Sequence, residues 1–124
     1  MILMDDVLAG ISYYLFPHER IFGGDLSRLA DFFHKRANQY PSVLGKVEFR
    51  DRGISFECEE LGQAVSNLSA SNYLSSADGG KYAFTNECAC SFERRIKPRA
   101  SAEQLRELEQ LAREFAGTMS EAAA

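Results

Sequence analysis

The pattern of apolar and polar positions predicts two helices in the first third of the chain. The first spans residues 4–16 and stops before Pro17, because proline is costly inside a helix. Asp25 is a suitable N-cap for the second helix, which ends just before Pro41 because proline disfavours helical geometry in the preceding residue. The segment "FPHERIFGG" between them predicts a loop. The apolar positions that recur at helical spacing are Val7, Leu8, Ile11, Tyr14, Leu15, Leu26, Leu29, Ala30, Phe33 and Ala37.

After the second helix the period of the apolar positions changes to two, which predicts a β-hairpin. Its strands are "KVEFR" and "ISFEC", in which apolar residues alternate with polar ones. The connecting "DRG" contains turn residues, and Gly53 can adopt a positive φ without steric cost. Each strand is therefore expected to have one apolar and one polar face.

A third helix and a second hairpin follow. The helix spans residues 59–71, and Glu59 and Glu60 favour its start because negative charge is stabilising at a helix N-terminus. The hairpin lies within residues 72–87, where "DGG" is the strongest turn signal in the chain. The side of the helix predicted to be buried consists of Leu61, Ala64, Val65 and Leu68.

The last predicted helix begins after Ser101, which fits a capping box with Gln104, and it ends at Gly117. Its apolar stripe either docks on the domain or pairs with a second copy of the chain. Residues 101–117 are therefore a candidate dimerisation element. Residues 120–124 are predicted to be frayed. The stripe consists of Leu105, Leu108, Leu111, Ala112 and Phe115.

The predicted elements form a single α+β domain over residues 1–124, in the order helix, helix, hairpin, helix, hairpin, helix. Residues 25–87 resemble a winged helix, a family in which a helix is followed directly by a two-stranded wing. The third helix and the "DGGK" ribbon match that order. The chain departs from the family because a predicted hairpin separates its second and third helices. The alternative is an α+β domain that is unrelated to winged helices.

The winged-helix resemblance implies a DNA-binding surface on the outward side of the third helix. Gln63 and Asn67 are suited to bidentate contacts with adenine, and Ser66 to adaptable ones. Phosphate contacts need basic groups, and residues 58–79 contain none. The wing tip and the basic segment "RRIKPR" supply the candidates, which are Lys81, Arg94, Arg95, Lys97 and Arg99. The alternatives are a solvated helix face and a solvated connector.

The charge of the chain supports a second hypothesis. The net charge is −4, whereas proteins that coat nucleic acid are usually basic. The rival to a DNA-binding regulator is a protein-interaction module, such as an adaptor or an antitoxin-like subunit, which uses the same fold without binding double-stranded DNA. In both hypotheses the protein is expected to be non-enzymatic and to form a homodimer.

Few residues indicate catalysis or metal binding. Zinc sites usually pair cysteines at C-x₂₋₄-C spacing, whereas one residue separates Cys88 from Cys90, and Cys58 is distant in the chain. Free cysteine is often buried, so these cysteines are also compatible with small core residues of strands. The alternation of side chains along a strand would place Cys88 and Cys90 on the same face. His18 and His34 are interpreted as ordinary residues. The sequence therefore predicts no catalytic residue, no metal and no cofactor.

The start of the chain and the number of its cysteines indicate the cellular location of the protein. "MILM" is followed directly by Asp5 and Asp6, whereas a secretory signal needs a basic start and a longer apolar stretch. No apolar run approaches the roughly 18–20 residues that span a bilayer. Three cysteines, an odd number, indicate reduced thiols. The sequence therefore predicts a soluble, cytoplasmic protein that does not enter a membrane.

Overall fold

A computed structural model describes residues 2–15 and 21–119, which form an α+β domain. Within these residues, none of the helices combines the length and the apolar content that crossing a bilayer requires. A π-helical turn and a 3₁₀ turn connect the last two helices, at Phe92–Ile96 and Lys97–Arg99. The other elements, in chain order, are α1 (Met4–Leu15), β1 (Ile21–Gly23), α2 (Leu26–Arg36), α3 (Pro41–Leu44), β2 (Arg50–Asp51), β3 (Phe56–Glu57), α4 (Glu59–Ala70), β4 (Leu74–Ala77), β5 (Lys81–Phe84), α5 (Asn86–Ser91) and α6 (Ala102–Thr118).

The helix starts follow the predicted capping chemistry. The Asp25 carboxylate accepts the backbone N–H groups of Ser27 and Arg28, at 2.9 and 3.3 Å, and so satisfies two donors at the start of α2. At the start of α6, the Gln104 N–H donates to the Ser101 hydroxyl and the Ser101 N–H donates to the Gln104 side chain, at 3.1 and 2.9 Å. Both predicted N-termini are confirmed.

The second predicted hairpin is confirmed and gains a third strand. β4 and β5 are antiparallel, and Gly79 and Gly80 form the turn between them with φ values of +75° and +71°. β1 pairs with the other edge of β5, so the sheet order is β1-β5-β4. The loop prediction was therefore wrong for β1. Three residues are too few to show a period of two, and β1 acquires its hydrogen bonds from the distant β5. The rest of that predicted loop, residues 16–20, lies outside the described residues.

The first predicted hairpin is present but short. β2 and β3 pair over two residues each, and Gly53 in the connection has a φ of +93°. The Asp31 carboxylate of α2 accepts the Phe56 N–H at 3.0 Å, and the His34 ring stacks on Phe56 with ring centroids 3.6 Å apart. α2 therefore positions β3 of the hairpin. Ile54, predicted to lie on an apolar strand face, is fully exposed in the connection instead.

Two predicted helix ends differ from the structure. α2 ends at Arg36, and Pro41 begins α3, where its missing N–H leaves no helical hydrogen bond unmade. α6 continues through Gly117 to Thr118, so Gly117 does not end it. Glycine can terminate a helix, but it does so only where the backbone adopts a left-handed conformation, and Gly117 does not have a positive φ.

The segment with the two neighbouring cysteines is helical. Cys88 and Cys90 lie on α5, so the predicted strand was wrong, and a helix places the two thiols on different sides. Cys88 is buried and Cys90 is exposed. The "RRIKPR" segment, which lies between the last two helices, also forms helical turns. An apolar pattern as short as this one does not distinguish a strand from a helix.

Helix α1 lies at the centre of the domain and packs against α4, α5 and α6. A side chain at Gly10 would lie 3.0 Å from the Phe92 ring and 3.1 Å from Leu108, so glycine permits the close approach of α1 to its neighbours. Phe115 of α6 contacts four other rings, with ring centroids 4.8–6.4 Å apart within this cluster. The other four rings are Phe22, Phe32, Phe33 and Phe84.

The apolar stripe of α6 docks on its own domain. Leu108, Leu111, Ala112 and Phe115 are fully buried within the chain, and Leu105 is half-buried against the core. This burial matches the alternative in which the stripe docks on its own domain. Those four side chains consequently have no surface left for a second copy, which weakens the basis for dimerisation through residues 101–117.

The polar side of α6 also contacts the domain. The buried Glu107 carboxylate accepts the Ser42 N–H at 3.0 Å and so caps the short α3. Glu114 accepts hydrogen bonds from the Tyr40 hydroxyl and from Arg36, the latter at 3.0 Å. These contacts connect α6 to the α2–α3 region, in addition to the apolar packing.

Candidate interaction surface

The outward side of α4 contains the residues proposed for base contacts. Gln63, Ser66 and Asn67 are all exposed. Glu59, Gln63 and Asn67 are each four residues apart, so they form one row along the helix, which continues to the C-cap Ser71. The apolar residues Leu61, Ala64, Val65 and Leu68 lie on the other side and are buried, as predicted.

The row on α4 is hydrogen-bonded to the start of α1. The Asn67 amide donates to the Asp5 carboxylate at 3.1 Å, and the Gln63 amide donates to the Asn67 oxygen at 3.0 Å. These bonds orient both amides along the row. One donor of Asn67 is therefore directed toward a carboxylate, not toward the position a base edge would occupy.

A groove between α1 and α4 begins beside this row. Its first part has a volume of about 420 Å³ and extends to the segment before β2. Within it, the Glu48 N–H donates to the Glu60 carboxylate at 3.1 Å, which positions that segment against α4. Besides Gln63 and Asn67, the lining includes four carboxylates, one guanidinium and an exposed leucine: Asp5, Glu48, Glu59, Glu60, Arg50 and Leu3. We call this part the acidic end.

A second part of the groove adjoins the first, because Asp5 and Asn67 line both. Its volume is about 210 Å³, and it extends along α4 to Ser71 and the 3₁₀ turn. Arg95 and Arg99 line it, and the Arg99 Nε donates to the Arg95 carbonyl oxygen at 2.7 Å. We call this part the basic end, and the two parts together the α1–α4 groove.

The predicted phosphate-binding residues do not all converge. Arg95 and Arg99 line the groove with Asn67, whereas Arg94 is exposed outside its lining. Lys97 donates to the Tyr13 hydroxyl at 2.9 Å and lies 5.1 Å from the centre of that ring. This hydrogen bond raises the pKa of the Lys97 ammonium. Lys97 therefore contacts α1 rather than joining the arginines.

Lys81 lies on the β4–β5 ribbon, at the position predicted to be the wing tip. It begins β5 and pairs with Gly23 of β1 and Ala77 of β4, where the structure leaves it half-buried. Lys81 is not among the residues that line the described groove. The ribbon and the α1–α4 groove are thus separate surfaces.

The acidic lining of the groove was not foreseen. In the sequence, Asp5 is an acidic residue directly after "MILM", and Glu48 and Arg50 are polar positions of a predicted strand. Their contribution depends on the packing of three segments that are distant in the chain. The cluster of Glu59 and Glu60 was the one signal in the sequence that indicated an acidic surface here.

Among the residues that the structure describes, the three thiols and His34 form no comparable site. Burial raises the pKa of the Cys88 thiol to about 11, and burial also raises the pKa of Cys58. His34 stacks on Phe56, and His18 lies outside the described residues. Among residues 2–15 and 21–119, no group of three or more histidine, cysteine, aspartate and glutamate side chains is placed to hold a metal ion.

No protein-family model matches the chain, and comparison with curated proteins and with solved structures finds no similar protein. The winged-helix resemblance therefore stays a prediction. The ribbon follows α4 as the resemblance requires, whereas α3 and the β2–β3 hairpin lie between α2 and α4.

Proposed function

We propose that this protein is an interaction module that binds a protein partner in the α1–α4 groove. The observation that supports this most directly is the charge around the outward row of α4. Gln63 and Asn67, two of the three residues predicted to contact bases, line a groove with four carboxylates and one guanidinium at its acidic end, whereas Ser66 is outside the lining. A DNA backbone brought to that row would place phosphates beside those carboxylates, and like charges at short range oppose binding.

The same groove has features of a protein-binding surface. Leu3 lines it with 55% of its surface exposed, next to the amides of Gln63 and Asn67. Protein interfaces combine such apolar contacts with polar groups at their rim. The charge of the groove is also uneven: carboxylates exceed guanidinium groups by three at the acidic end, whereas Arg95 and Arg99 are matched by two aspartates at the other end. Electrostatic complementarity to an uneven charge distribution selects partners.

Site-specific photo-cross-linking in the native host tests the proposal. A photoreactive residue replaces Gln63 in one variant and Gln110 in a control variant, since Gln110 is an exposed glutamine on α6, away from the groove. We expect a discrete adduct with a second polypeptide from position 63 and none from position 110. No adduct from position 63, or equal adducts from both positions, would show that the groove does not bind a protein.

DNA binding is the second candidate function. Arg94 and Arg95 are both exposed on the segment that follows the ribbon, where they are accessible to a phosphate backbone. Fluorescence anisotropy of random duplex DNA across a salt series tests this hypothesis, with an Arg94→Ala, Arg95→Ala variant beside the parent. Binding that weakens steeply with salt, with a smaller salt slope in the variant, would support it. Absence of binding at low salt would remove it.

A further inference from the structure

The α1–α4 groove is polarised in charge along its length. Three glutamates, with Asp5 and Arg50, line one end: Glu48, Glu59 and Glu60. At the other end the exposed Arg95 and Arg99 are accompanied by the half-buried Asp5 and Asp6, so the arginines are the more accessible charges there. We propose that its occupant is an extended segment of a partner protein with basic side chains at the acidic end and a carboxylate side chain at the basic end. This inference rests on the proposed function, and it specifies the chemistry of the partner.

The length of the groove sets the spacing of those charges. From Glu59 to the C-cap Ser71 the α4 row advances by twelve residue steps, which is about 18 Å at the helical rise of ~1.5 Å per residue. An extended chain advances about 3.3 Å per residue. The acidic residue of the partner is therefore expected about five residues from its basic residues.

The acidic end suits lysine or arginine side chains. Glu48 and Glu59 are exposed, and one oxygen of Glu60 accepts the Glu48 N–H, which leaves the other oxygen available. Arg50 offsets part of this charge. The four carboxylates and Arg50 leave three negative charges at this end, so two cationic side chains would offset most of that charge. Charge-assisted hydrogen bonds of this type are stronger than neutral ones.

The basic end suits a carboxylate. The Arg99 Nε is bonded to the Arg95 carbonyl oxygen, which fixes the side chain of Arg99 and leaves its terminal N–H groups for a ligand. The guanidinium fork matches the two oxygens of a carboxylate. Asp5 and Asp6 also line this end, but each has one oxygen that accepts a hydrogen bond, from Asn67 and from the Leu3 N–H respectively.

Anisotropy with labelled synthetic peptides tests the proposal on the full chain. The bipolar probes have two adjacent lysines and a glutamate five residues away, in a serine–glycine background, and they are made in both chain directions. The control peptide exchanges every lysine for glutamate and the glutamate for lysine. We expect at least one bipolar probe to bind more than about tenfold tighter than the control at low salt, and less so at high salt.

Matched variants assign the binding to the groove. Glu59→Gln and Arg95→Ala are each expected to weaken the bipolar probe by about threefold or more, since each removes one charge that contacts the segment. Arg94→Ala is the control for Arg95→Ala, because Arg94 is an exposed neighbour outside the lining. Glu103→Gln, on the exposed start of α6, is the control for Glu59→Gln. Both controls are expected to bind like the parent.

Several outcomes would overturn the proposal, and they separate it from the proposed function. Equal binding of the control peptide, or equal effects of Arg94→Ala and Arg95→Ala, would contradict the charge pattern. If neither peptide binds but Gln63 still gives an adduct with another protein, the partner has different chemistry and the proposed function stands. An adduct of twice the chain mass would identify a second copy as the occupant. Loss of both peptide binding and the adduct would reject the proposed function as well.

Discussion

Helices α4 and α6 are both amphipathic and both have a regular apolar stripe, but the domain uses their polar sides differently. The inner sides of both helices are buried in the same core. On α6, polar residues are also engaged, because Glu107 and Glu114 accept hydrogen bonds from the α2–α3 region. On α4, the outward row has one exposed hydrogen bond to Asp5 of α1, and the row lines an open groove. The same sequence pattern thus gives a structural helix in one place and an accessible surface in the other.

This comparison indicates where changes affect stability and where they affect binding. A side chain that fills the core or satisfies a buried donor contributes to the free energy of unfolding. A side chain on an open groove contributes little to folding, so its chemistry is free to serve a partner. We therefore expect large stability effects on α6, and small ones on the outward row of α4.

The largest effect is expected for Phe115→Ala on α6. Phe115 is fully buried and contacts four other aromatic rings, so its removal leaves a cavity at the centre of the core. We expect a loss of about 3–5 kcal/mol in the free energy of unfolding, measured by urea denaturation. Phe115→Leu, which retains much of the volume, should lose less. A loss below about 1 kcal/mol for Phe115→Ala would show that α6 is not part of the core in solution.

The next effect tests the polar side of α6. Glu107→Ala removes the acceptor of the Ser42 N–H and leaves that donor unsatisfied at the start of α3. We expect the variant to lose about 1–3 kcal/mol in urea denaturation. The matched control is Glu103→Ala, since Glu103 is exposed and its ion pair with Arg106 is 3.8 Å long, and a change within about 0.5 kcal/mol is expected. Equal losses in the two variants would contradict the role of Glu107.

Thiol reactivity tests whether the inner side of α4 is closed. Cys58 occupies the N-cap position of α4 and is buried, and burial raises the pKa of its thiol, so less thiolate is present at a given pH. Cys90 is exposed on α5. We expect one of the three thiols to react with a soluble disulfide reagent at pH 8, at least about tenfold faster than the others. The fast phase should disappear in Cys90→Ser. A second fast thiol in that variant would show that the start of α4 opens.

The smallest effect is expected on the outward side of α4. Gln63→Ala and Ser66→Ala each remove an exposed side chain, and each should change the free energy of unfolding by no more than about 0.5 kcal/mol. Leu61→Ala, on the buried side of the same helix, is the contrasting variant and should lose about 2–5 kcal/mol. A loss above about 1 kcal/mol for Gln63→Ala would mean that the row has a structural role instead of an accessible one.

Local features of the sequence determined most of the secondary structure. The period of the apolar residues is enough to predict α1, α2, α4 and α6, because the side chains of a helix repeat on one face wherever it packs. The caps at Asp25 and Ser101 involve groups within three residues of each other. The glycine turn between β4 and β5 is equally local. These interactions need no knowledge of the rest of the molecule.

Tertiary structure alone decided the remaining elements. β1 is a strand because it pairs with β5, and α3 begins at Pro41, where Glu107 supplies an acceptor for the Ser42 N–H from far along the chain. The sequence does not decide what the α6 stripe packs against, since an apolar stripe is compatible with either a core or a second chain. In the structure, the stripe is buried in its own domain.

The candidate site shows the same division. The sequence identified the exposed row of α4, because the polar residues of an amphipathic helix lie opposite its apolar stripe. It did not identify the groove, since Asp5 and Asn67 are 62 residues apart and meet only when α1 packs on α4. The charge that a partner meets is a sum over side chains from several segments. The sequence by itself fixes each charge, and the packing of the helices decides which charges lie together.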